Sequence, residues 1–433
     1  MHAAPPVSRR RLLGLVLLTT ALAVGGAAGA QPLPLATAPA SVGMDPVRLD
    51  RIGAALDAYV DRGELAGGVV LVARKGRLVY HRAFGERDRA SGDAMEVDDV
   101  FRIASQTKAV VSVAAMILQE EGRLLLSDPV GRFLPEFMET TVAVPQEGGG
   151  YEVVPARRPI TIRDLLTHTA GVGYGRGPGS DRWSGAAITG WYFAHRDEPV
   201  RETVRRMAEL PFPAQPGQGF VYGYATDILG AVVEVASGMP LDRFLAQRLF
   251  EPIGMDDTHF YLPPEKTERL ATVYLGTGDG LERAPDGPGM NTQGQYVDGP
   301  RRSFSGGAGL LSTAGDYGRF LQMLLDGGEL DGVRILSPKS VELMTVDHLT
   351  SITGPLGAGA GFGLGFRVIT DLGASGQPGS EGLFGWGGAY HTVYWVDPVE
   401  ELVVTYMTQI LQGVPDDHAR LQALVYQAIV DSN

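Results

Sequence analysis

A serine and a lysine three residues apart are the side chains in this sequence best spaced for chemistry. Ser105 and Lys108 begin a segment that is apolar at nearly every position from Val110 to Leu118, a pattern typical of a buried helix over Ser105–Glu121. Positions i and i+3 share a helix face, so the hydroxyl and the amine are expected side by side. A lysine whose pKa is lowered by burial can take the serine proton, and first-turn amides can stabilise an oxyanion.

The alternative interpretation is a serine that caps a helix and a lysine that reaches solvent. The chain has four lysines and eighteen serines, and Ser105–Lys108 is its only S-x-x-K. Random placement gives roughly 0.17 such motifs in a chain of this composition, which favours the catalytic interpretation.

The N-terminus predicts an exported protein. Arg9, Arg10 and Arg11 precede the apolar run Leu12–Val24 and the small residues at 28–30, so residues 1–30 are typical of a cleavable signal peptide. The stretch Ser8–Leu13 also resembles a twin-arginine export signal. The alternative is an uncleaved anchor, but the run is too short to span a bilayer. We expect a periplasmic or secreted protein without a stable membrane anchor.

Composition excludes several classes of function. Removing the three signal arginines leaves 37 − 3 = 34 basic against 50 acidic side chains, a net charge near −16 that disfavours nucleic acid and anionic membranes as partners. The chain has no cysteine, hence no disulfide or thiol chemistry. The eight histidines lack metal-site spacing and no phosphate-binding loop is present, so we expect neither a metal nor a cofactor.

The remaining pattern predicts an α+β protein with an antiparallel sheet. A hairpin is expected over Gly68–Ala73 and Arg77–Phe84, further strands are expected between 361 and 408, and a last helix over Asp416–Val430. We expect residues 31–433 to form one unit, with a mixed α/β part at about 40–100 and 335–433 and a mainly helical part at about 101–334. Segments 139–158, 171–199 and 275–302 are expected to be long loops that bind or cover a ligand.

Other residues are candidates for the site. His168 could act as a base, although a structural hydrogen-bonding role is the favoured interpretation because Lys108 already supplies one. Tyr222-Gly223-Tyr224 precedes an apolar helix, where a phenol is rigidly presented. Four aromatic residues could line an apolar pocket or simply pack, namely Trp183, Trp191, Tyr192 and Phe193.

The order of three motifs resembles a known family. Ser105-Gln106-Thr107-Lys108, then Tyr222-Gly223-Tyr224, then Trp386-Gly387-Gly388 are similar to the motifs of the serine β-lactamase/penicillin-binding-protein superfamily, in its class C-like branch that includes family VIII carboxylesterases. The stretches Leu165–Gly171 and Ser303–Asp316 also resemble that branch, so the likeness covers about residues 40–430. It implies a β-lactamase/transpeptidase-like fold, an α/β sandwich with a helical subdomain.

The resemblance also implies roles for individual residues. Ser105 matches the acylated nucleophile, Lys108 its proton partner, and Tyr222 the phenol that completes the general base. The Ser105 and Ala389 amides match the oxyanion hole. Four positions match substrate-binding residues of the second and third motifs, namely Tyr224, Trp386, Gly387 and Gly388.

Two departures from the family pattern point to esters as substrates. Lys or His usually stands where Trp386 is, and the second motif often ends in Asn where Tyr224 is. Both lost groups recognise carboxylate-bearing amides. We therefore expect an exported serine hydrolase of small carboxylic esters. The alternatives with the same fold are a class C-like β-lactamase and a peptidase that acts on D-amino-acid substrates or as a DD-peptidase. The alternative from another class is a non-catalytic peptidoglycan-binding relative.

Overall fold

The computed structural model describes residues 1–4, 32–278, 280–350, 352, 356–412 and 415–432. The predicted export segment, residues 1–30, lies almost entirely outside the described residues. Among those residues, no helix combines the length and the apolar character needed to cross a bilayer.

The helices begin where the sequence supplies caps. Asp45 accepts a hydrogen bond from the Arg48 amide ahead of Pro46, and Thr161 forms a capping box with Asp164. The α-helices of the described chain are α1 Pro46–Asp61, α2 Thr107–Glu120, α3 Ile162–Leu166, α4 Ser180–Gly185, α5 Val200–Met207, α6 Ala225–Ser237, α7 Leu241–Leu245, α8 Glu251–Ile253, α9 Ala314–Leu325, α10 Pro338–Met344, α11 Leu372–Ser375 and α12 Asp417–Tyr426.

The strands come mainly from the two ends of the chain. They are β1 Gly67–Arg74, β2 Arg77–Asp88, β3 Asp93–Ala94, β4 Phe101–Arg102, β5 Thr141–Pro145, β6 Tyr151–Pro155, β7 Tyr274–Thr277, β8 Gly280–Arg283, β9 Leu311–Ser312, β10 Glu329–Leu330, β11 Val333–Arg334, β12 Ala360–Phe362, β13 Arg367–Ile369, β14 Phe384–Gly388, β15 Thr392–Asp397, β16 Leu402–Thr408 and β17 Ile410–Leu411. The central sheet has the order β12-β13-β14-β15-β16-β1-β2-β3, and its paired strands are antiparallel.

Helices cover both faces of this sheet. On one face, α1 and α12 pack on the side chains of alternate strand residues such as Val70, Val404 and Tyr406. On the other face, α9 lies against β1 and β16, and α2 and α6 pack together beyond it. The α+β sandwich with an antiparallel sheet and helices, predicted from the sequence, is confirmed.

Several boundaries differ from the predicted ones. Segments 139–158 and 275–302 are not simple loops, because each contains a two-stranded hairpin, β5–β6 and β7–β8. The last helix ends at Tyr426, earlier than expected. Ser105 lies in a 3-10 turn, Ala104–Gln106, that leads into α2 rather than in the α-helix itself.

Candidate active site

Ser105 occupies a tightly held turn between a short strand and the buried helix α2. The preceding residue, Ala104, has φ of +40°, a conformation that side chains other than glycine rarely adopt. The turn is fixed because Tyr317 donates a hydrogen bond to the Gln106 carbonyl at 3.0 Å. The hydroxyl of Thr107 accepts one from the Leu310 amide at 3.0 Å. The Ser105 side chain remains half-buried, so it is held rigidly yet stays accessible.

Lys108 is buried beside Ser105, one turn along. Its Nζ lies 3.3 Å from the Ser105 Oγ, 3.0 Å from the Tyr174 hydroxyl and 2.7 Å from the Gly307 carbonyl oxygen. An ammonium has three donors, and these three oxygens match them. The pair predicted from the sequence is therefore brought into hydrogen-bonding distance, although the hydroxyl belongs to the turn and the amine to the helix.

The expected direction of the Lys108 pKa shift is wrong. Burial by itself lowers the pKa of Lys108, but the phenol oxygens of Tyr174 and Tyr222 and the carboxylate of Asp227 attract the ammonium and raise the pKa overall. The resting lysine is thus charged. If Lys108 and the neighbouring phenols accept the Ser105 proton, as predicted, the accepting form of this lysine–phenol set must have one proton fewer.

Tyr174 is a site residue that the sequence did not reveal. It belongs to the segment 171–199, and its hydroxyl accepts a hydrogen bond from the Lys108 Nζ at 3.0 Å. Its ring packs edge-on against Tyr222, with centroids 5.8 Å apart. No sequence motif identifies Tyr174, because the fold of its loop places it beside Lys108 and no regular helical spacing relates the two residues.

Tyr222 reaches the site from the turn before α6. The Lys108 Nζ lies over the face of the Tyr222 ring, 4.7 Å from its centroid, and the predicted role of the phenol in proton transfer stays a prediction. Its oxygen accepts a hydrogen bond from the Trp386 indole N–H at 2.9 Å. Among the described residues, that oxygen makes no hydrogen bond to Ser105 or Lys108, a position that Tyr174 takes instead.

Trp386 contacts Tyr222 directly. Its indole lies on β14 and donates to the Tyr222 oxygen, so it supports the phenol. A donor aimed at that oxygen stabilises negative charge on it. The predicted role of Trp386 in substrate binding stays a prediction.

Gly387, Gly388 and Ala389 bring the end of β14 against the nucleophile turn. A Cβ on Gly388 would stand 2.4 Å from the Ile103 carbonyl oxygen, so only glycine allows this approach. Ala389 follows directly and is exposed at the end of the strand. This placement is compatible with the oxyanion role predicted for the Ser105 and Ala389 amides, and that role stays a prediction.

Asp227 is a second residue that the sequence analysis missed. Its carboxylate is 1% exposed, accepts a hydrogen bond from the Ser305 hydroxyl at 2.6 Å and another from the Gly307 amide at 3.1 Å. It thereby shapes the turn whose Gly307 carbonyl binds Lys108. Burial raises the pKa of Asp227, while the Ser305 hydrogen bond and the charge of Lys108 oppose that rise. The sequence did offer a signal for Asp227, because an acidic residue directly before the apolar run that begins at Ile228 is expected to be buried with a partner.

The ring of His168 packs against Tyr222. Its ring centroid is 4.7 Å from that of Tyr222 and 5.6 Å from that of Phe362. Burial, reinforced by the charge of Lys108, holds the pKa of His168 well below its usual range. Its Nδ1 has no hydrogen-bond partner among the described residues, so the contact is one of packing.

Tyr224 does not lie where a substrate could reach it. The side chain is fully buried, donates to the Gly190 carbonyl at 2.6 Å and stacks on Trp183. The predicted substrate-binding role is therefore wrong. Trp183, Tyr192 and Phe193 are likewise core residues, and only Trp191 of the four aromatic candidates lines a cavity next to the site.

That cavity opens beside the two tyrosines. It has a volume of about 580 Å³ and is bordered by Tyr174, Tyr222, Trp191, Met290 and Val221, with Arg176 at its exposed side. Its mostly aromatic and aliphatic wall suits a small apolar group.

Comparisons with known proteins identify the family of this chain. A sequence profile of the family "Beta-lactamase" matches residues 52–428. Protein Rv1367c of Mycobacterium tuberculosis is 38% identical over 84% of this chain and 90% of its own length. Esterase EstB of Burkholderia gladioli is 34% identical over 83% of this chain and 89% of its own.

A solved structure extends the likeness to three dimensions. EstCE1, described as a hydrolase with promiscuous acyltransferase activity, superposes with a TM-score of 0.75 at 29% identity, over 88% of this chain and 99% of its own. The chain belongs to the Beta-lactamase family, as a serine hydrolase similar to the family VIII esterase-like branch.

Proposed function

We propose that the protein is an exported serine hydrolase that cleaves small carboxylic esters through an acyl-enzyme on Ser105. The Ser105, Lys108 and Tyr222 geometry supports the nucleophilic step. The names of the relatives, an esterase and a hydrolase with acyltransferase activity, support the ester class.

One observation carries the preference for esters. The third-motif position, where family members that act on β-lactams and D-amino-acid peptides usually hold Lys or His, is filled by Trp386, whose indole N–H is engaged by Tyr222. No charge from that position is left to meet a substrate carboxylate. The adjoining cavity offers an aromatic wall in its place.

Acylation begins with the loss of the Ser105 hydroxyl proton to the deprotonated lysine–phenol set. The Oγ bonds to the ester carbonyl carbon, the carbonyl electron pair moves to oxygen, and the Ser105 and Ala389 amides stabilise the resulting oxyanion. Collapse breaks the bond to the alcohol oxygen, which takes the proton back from the same set. Water then repeats the sequence on the acyl-enzyme, with proton transfer through the same groups, and releases the acid.

The two tyrosines divide this work in our proposal. Tyr174 holds Lys108 through the 3.0 Å contact, which orients the amine. Tyr222 borders the cavity and has its oxygen steadied by Trp386, so it is placed to exchange the proton with the leaving group.

Purified protein given p-nitrophenyl butyrate and a chromogenic cephalosporin tests the ester preference. We expect kcat/KM for the ester to exceed that for the cephalosporin by about 10²-fold or more, since losing the carboxylate-binding group leaves the cephalosporin poorly oriented. Faster cephalosporin turnover would establish the β-lactamase alternative and overturn the proposal. A D-alanyl-D-alanine peptide in the same assay addresses the peptidase alternative.

A fluorophosphonate probe separates an enzyme from a non-catalytic relative. Wild-type protein should be labelled at Ser105, and the Ser105→Ala variant should not. An unlabelled wild-type protein would favour the peptidoglycan-binding alternative.

Export is part of the proposal and has its own test. Expression of the full chain in a bacterial host, followed by fractionation and N-terminal sequencing, should give a mature protein that begins near residue 31 outside the cytoplasm. Replacement of Arg9, Arg10 and Arg11 by Gln should retain the full-length chain inside. Recovery of uncleaved wild-type chain in the cytoplasm would refute export.

A further inference from the structure

A buried histidine outside the catalytic set lies directly behind the end of β14. His391 is two residues beyond Ala389, is 8% exposed and has φ of +64°. Its ring Nε2 lies 2.6 Å from the Asp417 Oδ1. The Asp417 carboxylate is fully buried at the start of α12, and its other oxygen accepts a hydrogen bond from the Tyr406 hydroxyl at 2.6 Å.

His418 completes this cluster but does not make it a metal site. The rings of His391 and His418 are stacked, with centroids 3.8 Å apart and planes 11° apart. Imidazole binds a metal through an in-plane lone pair, and two parallel rings direct those lone pairs alongside each other rather than at one point. Both Asp417 oxygens also already accept hydrogen bonds from protein groups. The cluster is therefore an internal hydrogen-bond network.

The network anchors the turn 389–391 on every side. The His391 amide donates to the Gly388 carbonyl at 3.0 Å, and the His391 carbonyl accepts from the Thr408 hydroxyl at 2.7 Å. The Tyr390 carbonyl accepts from the Ile410 amide at 3.2 Å. A left-handed residue other than glycine is conformationally unfavourable, and it persists only where its surroundings hold it. Here the ring bond from His391 to Asp417 ties the turn to α12, together with a 3.3 Å contact between the His418 Nε2 and the His391 carbonyl oxygen.

We propose that His391, held by Asp417, is a positioning residue that fixes the turn 389–391 and so aims the Ala389 N–H at the oxyanion of the reaction. The inference rests on the proposed function, because it concerns the same acyl transfer. It ties the transition state to α12 and β16, elements that lie outside the Ser105, Lys108 and Tyr222 set. A shift of about 1 Å in such a donor can change a rate by about 10²-fold.

Two variants separate the effect of the His391–Asp417 hydrogen bond from the effect of the positive φ at residue 391. His391→Gly accepts the positive φ freely but loses the bond to Asp417, whereas Asp417→Asn keeps the shape of the acid and removes its charge. We expect both to lower kcat for p-nitrophenyl butyrate by about 10- to 100-fold with KM changed less than threefold. His81→Gln is the matched control. It is a histidine on β2 whose Nε2 is buried without a partner among the described residues, and we expect it to leave kcat unchanged.

The decisive readout is affinity for an oxyanion mimic. An alkyl trifluoromethyl ketone forms a tetrahedral adduct with the serine, and its inhibition constant should rise in His391→Gly and Asp417→Asn by about the factor lost in kcat. A role in folding alone would lower the melting temperature and leave this constant unchanged. Such a result, or kcat within threefold of wild type in both variants, would overturn the inference.

Failure of the proposed function would look different. In that case wild-type protein would hydrolyse no ester and the inhibitor would not bind it. If either variant is unfolded at the assay temperature, the other one decides, since His391→Gly removes the bond and Asp417→Asn weakens it by removing the charge of its acceptor.

Discussion

Replacement of Trp386 by Phe isolates one hydrogen bond of the site. The change keeps an aromatic ring on β14 and removes the indole N–H that lies 2.9 Å from the Tyr222 oxygen. Hydrogen bonds to a charged acceptor contribute about 1.5–3 kcal/mol. If Tyr222 carries negative charge as it exchanges the proton in the transition state, the loss corresponds to about a 10- to 150-fold decrease in kcat.

The assay is steady-state hydrolysis of p-nitrophenyl butyrate. We expect KM to stay within about threefold of wild type, because the lost bond acts between two protein groups and is strongest in the transition state. Trp191→Phe is the matched control, since Trp191 borders the cavity beside Tyr222 and its ring lies edge-on to Tyr390 at 5.4 Å. That variant should alter KM more than kcat.

Two outcomes would refute this reasoning. A Trp386→Phe enzyme with wild-type kcat would show that the indole donor plays no part in the chemistry. A large rise in KM at constant kcat would show that Trp386 binds substrate directly, as the motif comparison had suggested.

Three further predictions concern neighbouring groups. Tyr222→Phe should lower kcat by about 10²-fold or more, and Tyr174→Phe by less, because only the first removes the group proposed to return the proton; equal effects in steady-state assays would contradict the division of roles. Because the pKa of Lys108 is raised, the deprotonated set forms as pH rises, so kcat/KM should climb from pH 5 into the alkaline range. Asp227→Asn removes a charge that raises the pKa of Lys108 and should shift the rise in kcat/KM to lower pH. A flat wild-type profile, or a variant profile that matches wild type, would refute the role assigned to the Lys108 proton. Tyr224→Phe should lower the free energy of unfolding in urea by about 1–3 kcal/mol, because the Gly190 carbonyl loses its buried donor, and should leave KM unchanged; a raised KM would restore its substrate role.

The sequence predicted those parts of the site that depend on local spacing. Ser105 and Lys108 are three residues apart, so backbone geometry alone brings them together, and the apolar run of α2 explains why the pair is buried. The hairpin of β1 and β2 and the later strands followed from alternation of apolar residues and from turn residues. The Tyr222 and Trp386 motifs came from family resemblance rather than from physical spacing.

What the sequence did not predict depends on contacts between distant segments. Tyr174 meets Lys108 through the path of a loop, and His391, in the turn between β14 and β15, meets Asp417 at the start of α12, 26 residues later. Tyr224 was predicted to bind substrate because of its position in the second motif. In the structure its side chain lies in the core, where its hydroxyl donates to the Gly190 carbonyl and its ring stacks on Trp183. The charge of Lys108 also depended on neighbours that no spacing rule reveals.

The central claim is tested most directly by the mass of the protein during turnover. Wild-type enzyme mixed with p-nitrophenyl butyrate and quenched in acid within one turnover should gain the mass of one butyryl group on the peptide that contains Ser105. The Ser105→Ala variant should gain none. Ester hydrolysis by wild-type protein with no adduct at any time point, or an adduct on a different residue, would contradict the account.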